Sequence, residues 1–231
     1  MLLIIFIFIG TMVISLVAAA RVKSVYHKYT HVPAGSGLTG ATAAARILDA
    51  AGIHDVEIVE QSGLLGDHYN PMNKHLVLSS ENFHGNSAAA LGVAAHECGH
   101  AIQHKIAYAP LTWRMAAVGV TTYANQIVLW LPLIGMFTGI LQGSLGIYLG
   151  LMAGAWGILM LFNLVTLPVE FDASRRAVLI LNKMRLVTTE EADEGVRRVL
   201  NAAAWTYVAA FITSLAYFLY YLLPLLMGRR N

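Results

Sequence analysis

The stretch "ALGVAAHECGHAIQHK", residues 90–105, is rich in alanine, follows Gly85-Asn86-Ser87, and meets no proline until Pro110. A small polar residue before an apolar run is a helix start, so the stretch reads as an α-helix. On that helix His96 and His100 lie one turn apart and share a face, which lets two imidazoles grip one metal ion. Glu97 stands roughly 100° round the axis from His96, within reach of a water on that ion without ligating it.

The neighbours are read differently. His104 lies one turn beyond His100, about 6 Å further up the axis, too far for the same tetrahedral ion. It is expected to support the site from behind or to be structural. Cys98 is two residues from both ligands and faces away. As the only cysteine it cannot form an internal disulfide, and it reads as a buried free thiol. The spacing is H-E-x-x-H, the zinc-peptidase pattern, in which zinc lowers the pKa of a water and glutamate takes the proton. Five residues alone leave open a buried helix with chance histidines, so the rest of the chain decides.

That chain of 231 residues is 57% hydrophobic and 12% charged, with a mean hydropathy of +0.61. Apolar runs long enough to cross a bilayer, about 20 residues each, fall at 2–20, 115–136, 144–167 and 203–226. A chain of this length has no core able to hide four such helices. The expected fold is mainly α and integral to a membrane: four transmembrane helices with a small α+β zinc-peptidase region in the cytoplasm. Lys and Arg set the orientation. Seven lie between the first and second spans (Arg21, Lys23, Lys28, Arg46, Lys74, Lys105, Arg114) and six between the third and fourth (Arg175, Arg176, Lys183, Arg185, Arg197, Arg198). The loop at 137–143 carries no charge, and only Arg229 and Arg230 follow the last span. The positive-inside rule then puts both charged segments in the cytoplasm, with both termini outside. The first span lacks a basic leader and is too long for a signal peptide, so it reads as an uncleaved anchor. A net charge of +2 gives no reason to expect nucleic acid as a partner.

The expected organisation is an anchor at 1–20, a cytoplasmic region at 21–110, a transmembrane hairpin at 111–168, a cytoplasmic helical segment at 169–202, and a last span with its tail at 203–231. Within 21–110 a helix is expected from about Thr39 to Ala51, closed by Gly52. "VEIVE" (56–60) and "HLVLS" (75–79) read as strands, joined through the turn-rich "QSGLLGDHYNPMN" as an antiparallel hairpin or small sheet beside the histidine helix. "HLVLS" is offered as an edge strand for an extended substrate. His68 and Tyr69, in the connecting loop, are candidates for substrate contact or plain turn residues. In the third span Gly146, Gly150 and Gly154 recur every four residues, a close-packing face for another transmembrane helix.

A catalytic zinc takes three protein ligands and keeps one position open. The third ligand must come from the same side of the membrane as His96 and His100, and the chain returns there after two spans. Here Asn163, Thr166, Glu170 and Ser174 form one polar stripe, and polar residues at membrane depth face protein or a wet cavity. "LPVEFDASRRA" (167–177) has the look of a gluzincin third-ligand helix. Glu170 shares the stripe, whereas Asp172 is turned roughly 200° away, toward Arg175 and Arg176. Asn163 and Ser174 are candidate supports or substrate contacts.

Taken together, "SGLTG", "DHYNP", "LGVAAHECGHAIQH", "LPVEFDASRRA" and "RRVLNAAAWTYVAA" resemble the putative neutral zinc metallopeptidases of bacterial membranes, the YugP-like family. The resemblance implies a four-span membrane metallopeptidase with one zinc ion on His96, His100 and Glu170 and with Glu97 as the base. The wider gluzincin pattern has an aspartate four residues after the ligand glutamate. Here that position is Ser174, and the aspartate is Asp172, turned away from the face of Glu170, so the resemblance leaves open what supports the metal there.

Three functions follow. The first is a zinc endopeptidase at the cytoplasmic membrane surface, acting on a membrane-associated peptide or protein in contact with the lipid bilayer. The second is an intramembrane protease of the site-2 type, although Asn86, Gln103, His104 and Lys105 flank the motif and no Leu-Asp-Gly occurs. The third is a zinc-binding scaffold without catalysis. An oxyanion helper cannot be a histidine beyond position 104, which leaves His68, Tyr69, Tyr207, Arg175 and Arg176.

Overall fold

A computed structural model describes residues 2–63, 66–138 and 145–228. Leu64 and Leu65 of the turn-rich loop, most of the charge-free loop at 137–143, and Arg229 and Arg230 lie outside the described residues. In chain order the elements are α1 (Leu2–Tyr29), α2 (Gly40–Ala50), β1 (Glu57–Gln61), β2 (His68–Asn70), β3 (His75–Ser79), α3 (Ser80–His84), α4 (Ala88–Lys105), α5 (Ala109–Thr138), α6 (Leu145–Lys183) and α7 (Glu190–Gly228). Among the described residues four helices, α1, α5, α6 and α7, are long and apolar enough to span a membrane. Their large apolar side chains stay uncovered by protein: Phe6 is 68% exposed, Trp130 52% and Ile147 66%. Water would not tolerate so continuous an apolar surface, whereas lipid does. The protein is a membrane protein.

The chain divides into two compact units. The first comprises the residues up to Val17, Trp113–Leu167, and Thr206 onward. In it Trp156 stacks on Tyr217 with centroids 4.4 Å apart, and Asn163 Nδ2 donates to Ser214 Oγ and the Ala210 carbonyl. The glycine stripe takes another part than expected. A Cβ at Gly146, Gly150 or Gly154 would meet nothing within 4 Å among the described residues, while one at Gly157 would lie 3.1 Å from the Phe218 ring. Close packing falls one turn later than the four-residue repeat suggested.

The second unit comprises Ala18–Thr112 and Pro168–Trp205. Thr39 Oγ1 caps α2 by accepting from Thr42 N–H, and Gly52, at φ +65°, turns the chain out of it. Ile47 and Leu48 of α2 share a core with Leu91, Ala94, Ala95 and Cys98 of α4 and with Leu76 and Leu78 of β3. Ala177 and Leu181 of α6 and Val196 of α7 close the same core. At the far end of α4, Lys105 Nζ donates to the Ala51 and Gly52 carbonyls, where a cation suits the negative end of α2.

The sheet corrects the expected hairpin. Its order is β1-β3-β2; β1 runs parallel to β3, with Glu57 opposite His75, and β2 runs antiparallel to it, with His68 opposite Val77. A parallel pair needs a crossover connection rather than a tight turn, and the turn-rich segment supplies it and carries β2 as well. Asp67 holds β2 in place. Its carboxylate accepts from Ser79 N–H at 2.7 Å and from Asn82 Nδ2 at 2.9 Å, and Asn82 Oδ1 accepts from the Tyr26 hydroxyl. "HLVLS" is therefore the central strand, paired on both sides, and cannot be the edge that receives a substrate. The edges are β1 and β2.

Candidate metal centre

Ser87 caps α4, its Oγ accepting from Ala90 N–H. Two glycines then let other helices lie directly on α4. A Cβ at Gly92 would stand 3.4 Å from a Val196 methyl of α7, and one at Gly99 would stand 2.8 Å from the Ala173 carbonyl oxygen of α6. The second approach sets Glu170, almost one turn before Ala173, over His96 and His100.

Glu170 Oε2 lies 3.3 Å from His96 Nε2 and 3.6 Å from His100 Nε2. These three ligand atoms all lie within 4.8 Å of one another. Corners of a tetrahedron with zinc bonds near 2.1 Å are separated by about 3.4 Å, so the spacing suits one such ion. The imidazoles cross at 83° with centroids 4.7 Å apart, edge to face, so both Nε2 atoms converge without the rings colliding. The donor set of two imidazole nitrogens and one carboxylate oxygen fits zinc and leaves room for a water. His100 and Glu170 are buried, His96 is half-buried, and Glu97 beside them is buried. Burial disfavours a charged His100, yet the Glu170 hydrogen bond and the Glu97 charge outweigh it and hold its pKa above the ordinary imidazole value.

The far ring nitrogens are also engaged. Ser174 Oγ shares a 3.2 Å hydrogen bond with His96 Nδ1. His100 Nδ1 lies 3.0 Å from Gln103 Oε1, and Gln103 Nε2 donates to the Val169 carbonyl at 2.8 Å and to Asp172 Oδ2 at 2.9 Å. Asp172 corrects the sequence reading in part. It pairs with Arg175 and Arg176 as expected, but it is buried and reaches the metal-facing residues through Gln103. Phase within α6 showed which way Asp172 points; it could not show that α4 covers that side. Gln103, completely buried, is the residue the sequence reading missed. Its signal was the i, i+3 spacing from His100 on one helix.

Other candidates go elsewhere. The Tyr69 hydroxyl meets His104 Nδ1 at 2.9 Å. Both line a cavity of about 540 Å³ with Asp55, Lys74 and Lys105, to which His96, His100 and Glu170 do not contribute. His68 is exposed and its Nδ1 lies 2.8 Å from the Gly66 carbonyl. Asn163 and Tyr207 belong to the first unit. Cys98 turns into the core toward the Ala44 carbonyl, and burial pushes its thiol pKa up.

Comparison with known proteins shows what the chain is similar to. Residues 4–226 match the family described as "putative neutral zinc metallopeptidase". The chain is 40% identical over 227 residues, 98% of each sequence, to the "putative membrane protease YugP" of Bacillus subtilis (strain 168). No solved structure matches the chain.

Proposed function

The chain belongs to the putative neutral zinc metallopeptidase family, and we propose that it is a membrane-embedded zinc endopeptidase cutting peptide bonds at the cytoplasmic membrane surface. The observation that carries this reading is the convergence of His96 Nε2, His100 Nε2 and Glu170 Oε2 beside the buried Glu97. His96, His100 and Glu170 would hold the ion. Zinc, when bound, supplies the Lewis acidity that polarises the scissile carbonyl and makes a water acidic at neutral pH. Glu97, adjacent in sequence to a ligand but outside the ligand set, accepts the proton of the attacking water and returns it to the leaving amine. Orientation rests on charge: thirteen of the fifteen Lys and Arg lie in the segments that share one side, which the positive-inside rule assigns to the cytoplasm of a bacterial cell, with both termini outside. The site lies in the unit that holds twelve of those thirteen, so its substrates are peptides or proteins at the inner face of the plasma membrane.

The test is direct. Purified full-length protein should carry one zinc per chain and cleave an unfolded membrane-protein substrate, and chelation should stop cleavage. Stoichiometric zinc with no cleavage of any such substrate would leave a zinc-stabilised scaffold instead.

A further inference from the structure

The supports behind the two histidines differ in what they can specify. Gln103 Nε2 faces a backbone carbonyl, that of Val169, and the carboxylate of Asp172. A carbonyl is only an acceptor, and Arg175 and Arg176 on Asp172 favour the ionised carboxylate, which is also only an acceptor. The amide therefore has one sensible orientation: NH2 toward Val169 and Asp172, carbonyl oxygen toward His100. Turning it over would oppose oxygen to two acceptors inside a site with no solvent exposure at Gln103, an arrangement that buried polar groups avoid. With Oε1 fixed 3.0 Å from His100 Nδ1, that nitrogen must carry a proton. The lone pair of neutral His100 is then left on Nε2, the atom 3.6 Å from Glu170.

His96 has no such constraint. Its Nδ1 meets the Ser174 hydroxyl, which can donate or accept and so fits either tautomer.

We propose that Gln103 is a positioning residue which, held by Asp172 and the Val169 carbonyl, fixes the Nδ1–H tautomer of His100 and so presets its Nε2 for the metal. The chain Arg175/Arg176–Asp172–Gln103–His100 then replaces the missing aspartate four residues after Glu170. Asp172 serves the metal through an amide on another helix. The inference rests on His100 being a ligand, as proposed above, but the tautomer can be measured without metal.

The experiment uses full-length protein in detergent, the parent beside Gln103→Met, Ser174→Ala and Asp172→Asn. Methionine nearly keeps the volume of glutamine and offers no comparable acceptor. The first readout is nitrogen NMR of ¹⁵N-histidine-labelled, metal-free protein at a pH where imidazole is neutral. The parent should show His100 protonated on Nδ1; Gln103→Met should move the proton toward Nε2, which faces the Glu170 carboxylate. The second readout is zinc affinity by chelator competition, with the metal-free melting temperature as the control for folding. Gln103→Met should bind zinc about 10–100-fold more weakly, and Ser174→Ala should lose markedly less. Should Gln103→Met not fold, Asp172→Asn tests the same chain: it removes one of the two acceptors that fix the amide, the Val169 carbonyl remaining, and should admit a minor share of the Nε2–H tautomer of His100. A parent His100 protonated on Nε2 overturns the proposal, as does a folded Gln103→Met protein with parental tautomer and zinc affinity. A parent that shows the Nδ1–H tautomer but binds no zinc supports the Gln103 assignment while refuting the zinc-site reading.

Discussion

Gly99 of α4 faces the backbone of Ala173 in α6 so closely that a Cβ at position 99 would stand 2.8 Å from the Ala173 carbonyl oxygen and 3.1 Å from its Cα. The obstruction is helix backbone, which has no rotamer to yield. Gly99→Ala should move α6 away from α4 and carry Glu170 off His96 and His100. Overpacking of this kind destabilises by about 1–3 kcal/mol. The expected result is a lower melting temperature and less than one zinc per chain, read by calorimetry and elemental analysis. An unchanged zinc content would mean that this contact does not set the Glu170 position.

Glu97→Gln keeps the side-chain shape and removes the basic carboxylate. Zinc content and melting behaviour should match the parent, while turnover falls by about two to four powers of ten. A Glu97→Gln protein that cleaves near the parental rate ends the proposed mechanism.

The two carboxylates of "VEFDAS" should separate cleanly. Glu170→Ala removes one of three ligands and should abolish stoichiometric zinc. Asp172→Ala leaves the three ligand atoms in place and should retain zinc at saturating metal, with weakened affinity because Gln103 loses one acceptor. Metal analysis of both purified variants decides the assignment, and the reverse result would make Asp172 the ligand.

Acid should release the metal early. His100 holds its proton above the ordinary imidazole value in the metal-free protein, so protons compete with zinc from a higher pH than for a free histidine. The sign for folding is opposite. A raised pKa stabilises the metal-free fold fully below the unfolded imidazole value, and this contribution disappears as pH rises through the His100 value. Chelator competition across pH should show zinc affinity falling as the solution is acidified. The metal-free melting temperature should fall with rising pH more steeply in the parent than in Glu170→Gln, which lacks the neighbouring carboxylate charge.

The inferred orientation is open to labelling. Gly66→Cys and Lys183→Cys should resist an impermeant thiol reagent in intact cells, and Phe137→Cys should react. The native Cys98 is buried and should stay silent. Labelling of the first two with protection of the third would invert the topology.

Most of what a single helix encodes was legible in the sequence. The Ser87 cap, the shared face of His96 and His100, the turn of Cys98 away from that face and the choice of Glu170 over Asp172 as the residue facing the histidines all follow from a 3.6-residue period and local chemistry. Contacts between elements distant in sequence were not legible. Strand periodicity says which residues alternate, but not that "HLVLS" pairs on both edges, since its partners depend on a crossover and on Asp67 reaching Ser79 and Asn82. Phase within α6 turned Asp172 away from Glu170, but only the packing of α4 reveals that Gln103 waits there. The glycine repeat in α6 marked a smooth surface without saying which turn of it meets another helix.

The order of the sheet has a consequence for synthesis. Strands leave the ribosome as β1, β2, β3, but in space they lie β1-β3-β2. Until His75–Ser79 emerges, neither earlier strand has a neighbour, because both pair only with the last one made. The N-terminal membrane helix is already available for insertion at that moment, while some fifty residues behind it still wait without a sheet to fold onto. β3 is the segment whose arrival lets the sheet close.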